Sequence, residues 1–284
     1  MSLMSVMNRI ARLMSKAGAL VLAAGLATAA DTVPPPVYNN GFSMTIRLGR
    51  ELSDALPPKL GGQLDPQVVT LQSVDLPLVL PVAVTEENQV LCQVSLSAGF
   101  IDLVNHVAHA KAIDHLQPGY FAQYVKNLAL SATGSGAVSP PGIVDPRYWT
   151  EEVMNEQTSY FNQMIAMAMA INLSHHYLGH YAKYSCNLAG SADKPVAINS
   201  LLTTEEWNAS VKAGTLDALD CALSTEGIRA LFDAIDSMPN RPDWTTYIIP
   251  RQVDIKQLNK QLERYEDDYF HGKLKQQTLG VLSL

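Results

Sequence analysis

The longest regular hydrophobic pattern in the chain runs from about residue 150 to residue 184 and predicts one long helix. It begins with Thr150, Glu151 and Glu152, and acidic residues in the first turn are typical of a helix N-terminus. Residues 164–171 are apolar on every side, which predicts that the rest of the fold buries this part of the helix. The methionines there are typical of core residues.

Shorter patterns predict the remaining elements. Alternating β-branched and apolar residues predict strands at 68–80 and 89–97. Helical patterns cover 98–115, 119–130, 215–238 (one helix or a pair) and 253–269, and a short helix is expected at 46–56. Thr203 and Glu206 have the spacing of a capping box at another helix start. Together these elements predict an α+β fold, mostly helical, with a small sheet packed beside the long helix.

The N-terminus has the pattern of a secretory signal peptide. Arg9, Arg12 and Lys16 precede the apolar run 17–26, and the sequence Ala-Thr-Ala at 27–29 fits a cleavage site. We expect residues 1–29 to be removed on export to a bacterial periplasm or medium, leaving no stable membrane anchor. An uncleaved anchor or an amphipathic helix is the alternative.

The remainder of the chain divides in two by composition. Residues 30–66 are rich in proline and glycine and predict an extended N-terminal segment, whereas residues 67–284 predict a single domain. The net charge of −7 gives no reason to expect a nucleic acid as partner. In an oxidising compartment two of Cys92, Cys186 and Cys221 could pair, with Cys186 and Cys221 the favoured pair, or all three could stay as buried thiols.

The strongest chemical signal is the sequence NLSHHYLGHY at residues 172–181, which follows the apolar run. On a continuous helix His176 and His180 share one face, as do the two imidazoles that hold zinc in HExxH helices. Gly179 is unfavourable inside a helix by ~1 kcal/mol against alanine, which suggests a packing or functional reason. The alternative is a pair of hydrogen-bonded core histidines.

The segment around His176, Gly179 and His180 resembles the HELGH helix of the gluzincin peptidases, the group of CAAX prenyl endopeptidases and periplasmic chaperone-proteases. Two more segments resemble that family: residues 94–104, like its strand and the turn ahead of the active helix, and residues 217–223, like its E-A-D-x-x-A-L helix. The resemblance spans residues 89–235. It implies zinc as cofactor and a peptide or protein as substrate or partner.

Carried over by position, the resemblance makes His176, His180 and Asp217 the metal ligands, with Asp217 in place of the family's glutamate. Asp220 falls one position late for the family's aspartate that buttresses a histidine. His175 projects about 100° from His176 on the helix, which predicts a residue just outside the metal site or at the surface, and Tyr181 is a second candidate there. Tyr177 replaces the catalytic glutamate, and a phenol with a pKa near 10 is a poor general base. If hydrolysis occurs, Asp220 and Glu226 are the nearer carboxylates.

Three hypotheses follow for the function. The chain is an exported zinc-binding metallopeptidase-like protein, possessing a His-His-Asp site. Alternatively, it is an inactive pseudo-peptidase that serves as an envelope binding or chaperone-like module. A third reading is a helical protein without metal.

The other candidate residues also allow two interpretations each. His106 and His109, at i, i+3, could form a separate metal site or be ordinary helix residues, and His115 lies in the same helix. Tyr181 or Tyr184 could donate to an oxyanion, or be ordinary aromatic residues.

Overall fold

A computed structural model describes residues 38–57, 60, 64–86, 89–131, 138–188 and 195–274. The predicted signal peptide lies outside the described residues. The chain is an α+β protein, mostly helical with one small mixed sheet, as predicted. No helix within the described ranges has the length and apolar character needed to cross a bilayer.

Eight α-helices and three strands make up the described residues. In chain order they are α1 (Tyr38–Ala55), β1 (Leu64–Gln72), β2 (Val79–Glu86), β3 (Gln89–Ser97), α2 (Ala98–Leu116), α3 (Tyr120–Ser131), α4 (Glu151–Tyr177), α5 (His180–Leu188), α6 (Thr204–Asp220), α7 (Glu226–Asp236) and α8 (Ile255–Phe270). Short 3-10 turns lie at Pro146–Trp149, Ile198–Ser200 and Asp243–Tyr247.

The sheet has the strand order β1-β3-β2, with β1 parallel and β2 antiparallel to the central β3. The sequence predicted one strand over 68–80, and this is wrong: β1 ends at Gln72 and β2 starts at Val79. The connection between them approaches Gly99 so closely that a Cβ there would lie 1.9 Å from the carbonyl oxygen of Asp75. Turn-forming Asp75 inside the apolar run was the sequence signal for this break.

Strand β3 leads directly into α2, without an intervening turn. Ser97 ends the strand and caps the helix, since its side chain accepts a hydrogen bond from the backbone N–H of Phe100. Its hydroxyl also donates to the carbonyl of Leu76, which fixes the connection before β2. The segment resembling the family's strand and turn is therefore a strand–helix junction here.

Helix α4 is the centre of the fold, because α1, α2, α6, α7 and the sheet all pack against it. Its residues from Met164 to His176 are buried without interruption, as the all-round apolar pattern predicts. Gly214 allows α6 to approach most closely, since a Cβ there would lie 2.6 Å from the backbone nitrogen of Ile171. Helix α1 packs on β1 and α4, so residues 38–55 of the predicted extended segment are helical and contribute to the described fold.

The capping box at α6 is confirmed, with the Thr203 side chain accepting from the Glu206 N–H and the Glu206 side chain accepting from the Thr203 N–H. The second half of the predicted 215–238 region is a separate helix, α7, after a break at residues 221–225. The structure records Cys92, Cys186 and Cys221 as free thiols.

Candidate functional site

Helix α4 ends at Tyr177, so the prediction of one helix up to residue 184 is wrong. Leu178 is the C-cap, and Gly179 has a φ of +77°, in the left-handed region that L-residues avoid. The N–H of Gly179 donates to the carbonyl of His176, at 3.0 Å. A new helix then starts at His180. His176 and His180 consequently do not lie one turn apart on a continuous helix.

His176 faces the sheet. Its Nε2 donates a hydrogen bond of 2.9 Å to the carbonyl oxygen of Gln93, on β3. Its ring lies 4.8 Å from the ring of Tyr181, measured between centroids. Burial lowers the pKa of His176, partly offset by the bond to Gln93, so the ring is neutral at neutral pH. The Nε2 lone pair is therefore not available to a metal ion in this tautomer.

His180 faces α6, where it meets His175 and not His176. The two Nδ1 atoms of His175 and His180 are 3.3 Å apart. The hydroxyl of Ser210 lies 3.0 Å from the first and 3.1 Å from the second. His175 and Ser210 are completely buried, and His180 is 7% exposed. We call these three residues the His175–His180–Ser210 cluster.

Charged groups surround this cluster on the solvent side. The carboxylate of Glu206 lies one turn before Ser210 on α6, and its charge raises the pKa of both His175 and His180. Burial acts more strongly in the opposite direction and lowers the pKa of His175 to about 3. Neighbouring His180 and His176 lower it further. The pKa of His180 is also lowered, by burial first.

Glu206 itself stays ionised. Burial opposes its charge, but hydrogen bonds from the Lys183 ammonium, the Thr203 N–H and the Tyr184 hydroxyl outweigh that effect and lower its pKa to about 2. The Lys183–Glu206 distance is 2.6 Å, and the Lys183 side chain is 55% exposed. Tyr184, proposed as an oxyanion donor, therefore donates to Glu206.

Asp217 and Asp220 lie farther along α6. Asp217 is completely buried and is seven residues beyond Ser210, which corresponds to about 10 Å along the helix axis. Its charge contributes to raising the pKa of Tyr177 and of Cys221. Asp220 is at the surface and accepts a hydrogen bond of 2.7 Å from the hydroxyl of Tyr269. Neither carboxylate thus belongs to the His175–His180–Ser210 cluster.

The predicted ligands His176, His180 and Asp217 do not fit a zinc ion in this conformation. Across the described ranges, no three side chains of the His, Cys, Asp or Glu type converge as a metal-binding group. Zinc needs its ligands about 2.0–2.3 Å from one point, which requires convergence of all of them. The predicted His-His-Asp zinc site stays a prediction from the sequence.

The histidines of α2 make structural contacts. His109 donates from Nε2 to the carbonyl of Tyr148, at 2.7 Å, and packs edge-on against Trp149. Burial, and secondarily the charge of His109, lowers the pKa of His106 to about 4. His115 is half-exposed and bonds to Glu156 through Nδ1 at 2.8 Å.

An apolar groove of about 120 Å³ borders the sheet next to His176. Its walls come from β2, α5 and the segment leading into the Ile198–Ser200 turn. All lining residues are uncharged: Leu80, Pro81, Val82, Tyr181, Leu188, Pro195, Val196 and Ile198. We call it the β2–α5 groove. Because Tyr181 lines the groove and contacts His176, the predicted active-site histidine lies directly behind its wall.

Comparison with known proteins adds no family to this picture. No family model matches the chain, and no curated protein or solved structure has significant similarity to it. The resemblance to gluzincin peptidases therefore rests on the short motifs alone.

Sequence reasoning missed the partnership of His175 with His180, and missed Ser210 entirely. The available signal was Gly179, which follows a long helical pattern and is the commonest residue just beyond a helix end. If the helix stops at Gly179, His180 lies on a new element and does not share a helix face with His176.

Proposed function

We propose that the chain is an exported binding module of the pseudo-peptidase kind, which binds peptide or protein partners without hydrolysing them. The observation that carries the proposal is the helix end at Tyr177 and the left-handed turn at Gly179. A hydrolytic zinc site of the HExxH type depends on two histidines presented by one helix face, and this turn separates them.

The position of the general base also supports a non-catalytic protein. The hydroxyl of Tyr177 is buried and has no hydrogen-bond partner among the described residues. Burial first, and the charge of Asp217 second, raise its pKa well above the ordinary value. A phenol in that state does not accept a proton from water at neutral pH.

The β2–α5 groove supplies the binding surface in this proposal. Its lining carries no charge. An uncharged, apolar segment of a partner can therefore enter the groove without removing water from a charged group on either side. Pro81, which lines the groove on the edge strand β2, has no N–H to donate to an added strand. Side-chain packing in the groove, more than backbone pairing, therefore provides the contact.

The proposal is tested by measuring binding and cleavage of one fluorescent peptide library by the mature protein. We expect apolar peptides to bind and none to be cut, with or without a chelator. Val196→Asp places a charge in the groove and should weaken binding by about tenfold or more, equal to ~1.4 kcal/mol. Val84→Asp is the control, since Val84 is half-buried on β2 but does not line the groove.

Two outcomes would overturn the proposal. Chelator-sensitive cleavage that is lost in His176→Ala would establish the metallopeptidase instead. A library in which no peptide binds, or equal binding by Val196→Asp and Val84→Asp, would leave a helical protein that does not use this groove.

A further inference from the structure

We propose that the His175–His180–Ser210 cluster is a buried structural site for a divalent transition-metal ion. The ion would bind Nδ1 of His175, Nδ1 of His180 and Oγ of Ser210, with Glu206 supplying the negative charge. These ligands differ from the His176, His180 and Asp217 set that the sequence predicts. The inference goes beyond the proposed function and does not rest on it.

The distances between the three donor atoms carry the proposal. They form a nearly regular triangle with sides of 3.3, 3.0 and 3.1 Å. A tetrahedral ion with bonds of about 2.0–2.1 Å keeps its donors about 3.3 Å apart, which is close to these sides. Hydrogen bonding accounts for the two sides at Ser210, whose hydroxyl can donate to one ring and accept from the other, whereas a shared ion also accounts for the 3.3 Å side between the two Nδ1 atoms.

Asn199 favours the tautomer that a metal ion requires. Its side chain interacts with the His175 ring. Nε2 of His175 and Oδ1 of Asn199 are both buried, and neither makes a hydrogen bond of ordinary geometry among the described residues. A proton on Nε2 leaves the Nδ1 lone pair directed at His180 and Ser210. Metal-binding histidines are oriented in this way by a partner on the other ring nitrogen.

Glu206 meets the charge requirement. A divalent ion among neutral donors in a buried site is costly unless a carboxylate compensates it. Glu206 precedes Ser210 by four residues on α6, its charge reaches both rings, and it remains ionised. Lys183, which now pairs with it, is 55% exposed and can turn into solvent when an ion enters.

The burial of the three ligands indicates that the ion has a structural role. His175 and Ser210 are inaccessible and His180 nearly so, which leaves no room for a substrate at the ion. The ligands come from the end of α4, the start of α5 and the middle of α6, so one ion would fasten three helices around the turn at Gly179. Metal affinity of such a site adds directly to folding stability.

The test is a titration of chelator-treated mature protein with Zn²⁺, and with Co²⁺ as an absorbing probe. We expect about one equivalent to bind, a rise in Tm of several degrees and visible absorption bands of protein-bound cobalt. His175→Gln and His180→Gln should lose binding. His176→Gln, which changes the adjacent histidine, should keep it.

A Ser210→Cys variant guards against loss of binding through misfolding. A thiolate is a better ligand for zinc and cobalt than a hydroxyl, so this variant should bind more tightly and show sulfur-to-cobalt charge-transfer absorption. Wild-type binding below about a tenth of an equivalent would overturn the site, as would Ser210→Cys without charge-transfer bands. Loss of binding in His176→Gln but not in His175→Gln would also overturn it.

Discussion

A cluster of polar side chains that includes histidine lies at each end of α4, and the two clusters differ in exposure. Near the start of the helix, Glu156 bonds to His115, whose side chain is 51% exposed, and the Tyr160 hydroxyl lies 3.4 Å from the other ring nitrogen of His115. Near its end, His175 and His180 meet around Ser210 with almost no exposure. Water competes for every contact of the first cluster and for none of the second.

The difference shows that the contacts and burial of a histidine, and not its spacing from other histidines in the sequence, determine its chemistry here. The exposed cluster continues from Tyr160 to Glu226 and Lys111 as a chain of weak surface contacts. The buried cluster holds neutral rings, and each contact that is lost there leaves a polar atom without water. Equivalent substitutions at the two ends should therefore have unequal effects.

The largest effect is expected where helices touch α4 through glycine. Gly214→Ala puts a Cβ 2.6–2.9 Å from backbone atoms of Ala170 and Ile171, which cannot move separately. We expect a loss of about 3 kcal/mol in the free energy of unfolding. Gly227→Ala, near the exposed cluster, meets the Gln163 side chain and one carbonyl and should cost about 2 kcal/mol. Chemical denaturation measures both, and equal or reversed costs would contradict the packing described.

Removing one hydroxyl tests the buried cluster against the exposed one. Ser210→Ala leaves two buried imidazole nitrogens without their shared partner and should cost about 1–2 kcal/mol in metal-free protein. Glu156→Gln, which removes the charge that pairs with half-exposed His115, should cost below ~0.5 kcal/mol. If both variants unfold at the same denaturant concentration, burial does not separate the clusters as we argue.

Lowering the pH should reveal the burial of one histidine of α2. His106 has a folded-state pKa of about 4, below the unfolded value of about 6.5, because burial disfavours its charged form. Its contribution to stability is fully present above pH 6.5 and is lost as the pH falls towards 4, with a slope of up to ~1.4 kcal/mol per pH unit. His106→Gln should flatten this dependence of stability on pH.

A substitution in the turn that separates His176 from His180 should have a modest effect. Gly179→Ala meets nothing within 4 Å, so only the left-handed backbone conformation opposes it, at about 1 kcal/mol. Thermal unfolding should show a slightly lower Tm. A higher Tm would mean that the helix continues to His180, and the predicted shared face would be restored.

Much of the fold follows from the sequence because hydrophobic patterns decide element types locally. The strand at 89–97, the buried part of α4 and the Thr203–Glu206 cap all appear as predicted. Element ends were harder to predict. The break between β1 and β2 depends on close packing at Gly99, and α4 ends at Gly179 although the helical pattern runs on to residue 184.

The site could be predicted only in part for the same reason. The sequence predicted a buried helix that carries His176 and His180, and both side chains are buried, although His180 lies on α5. Their directions depend on a left-handed residue and on the depth at which α6 packs, set by Gly214. The spacing of residues in the sequence determines neither this backbone conformation nor the packing depth of α6. Ser210 and the partner of His180 could therefore not be predicted from it.

Two double-mutant cycles in metal-free protein measure whether His180 is partnered by His175 or by His176. Unfolding free energies of the single and double alanine variants give the coupling of each pair. We predict about 1 kcal/mol of coupling between His175 and His180, and below ~0.3 kcal/mol between His176 and His180. Strong coupling of His176 with His180, and none of His175 with His180, would contradict the pairing of His180 with His175.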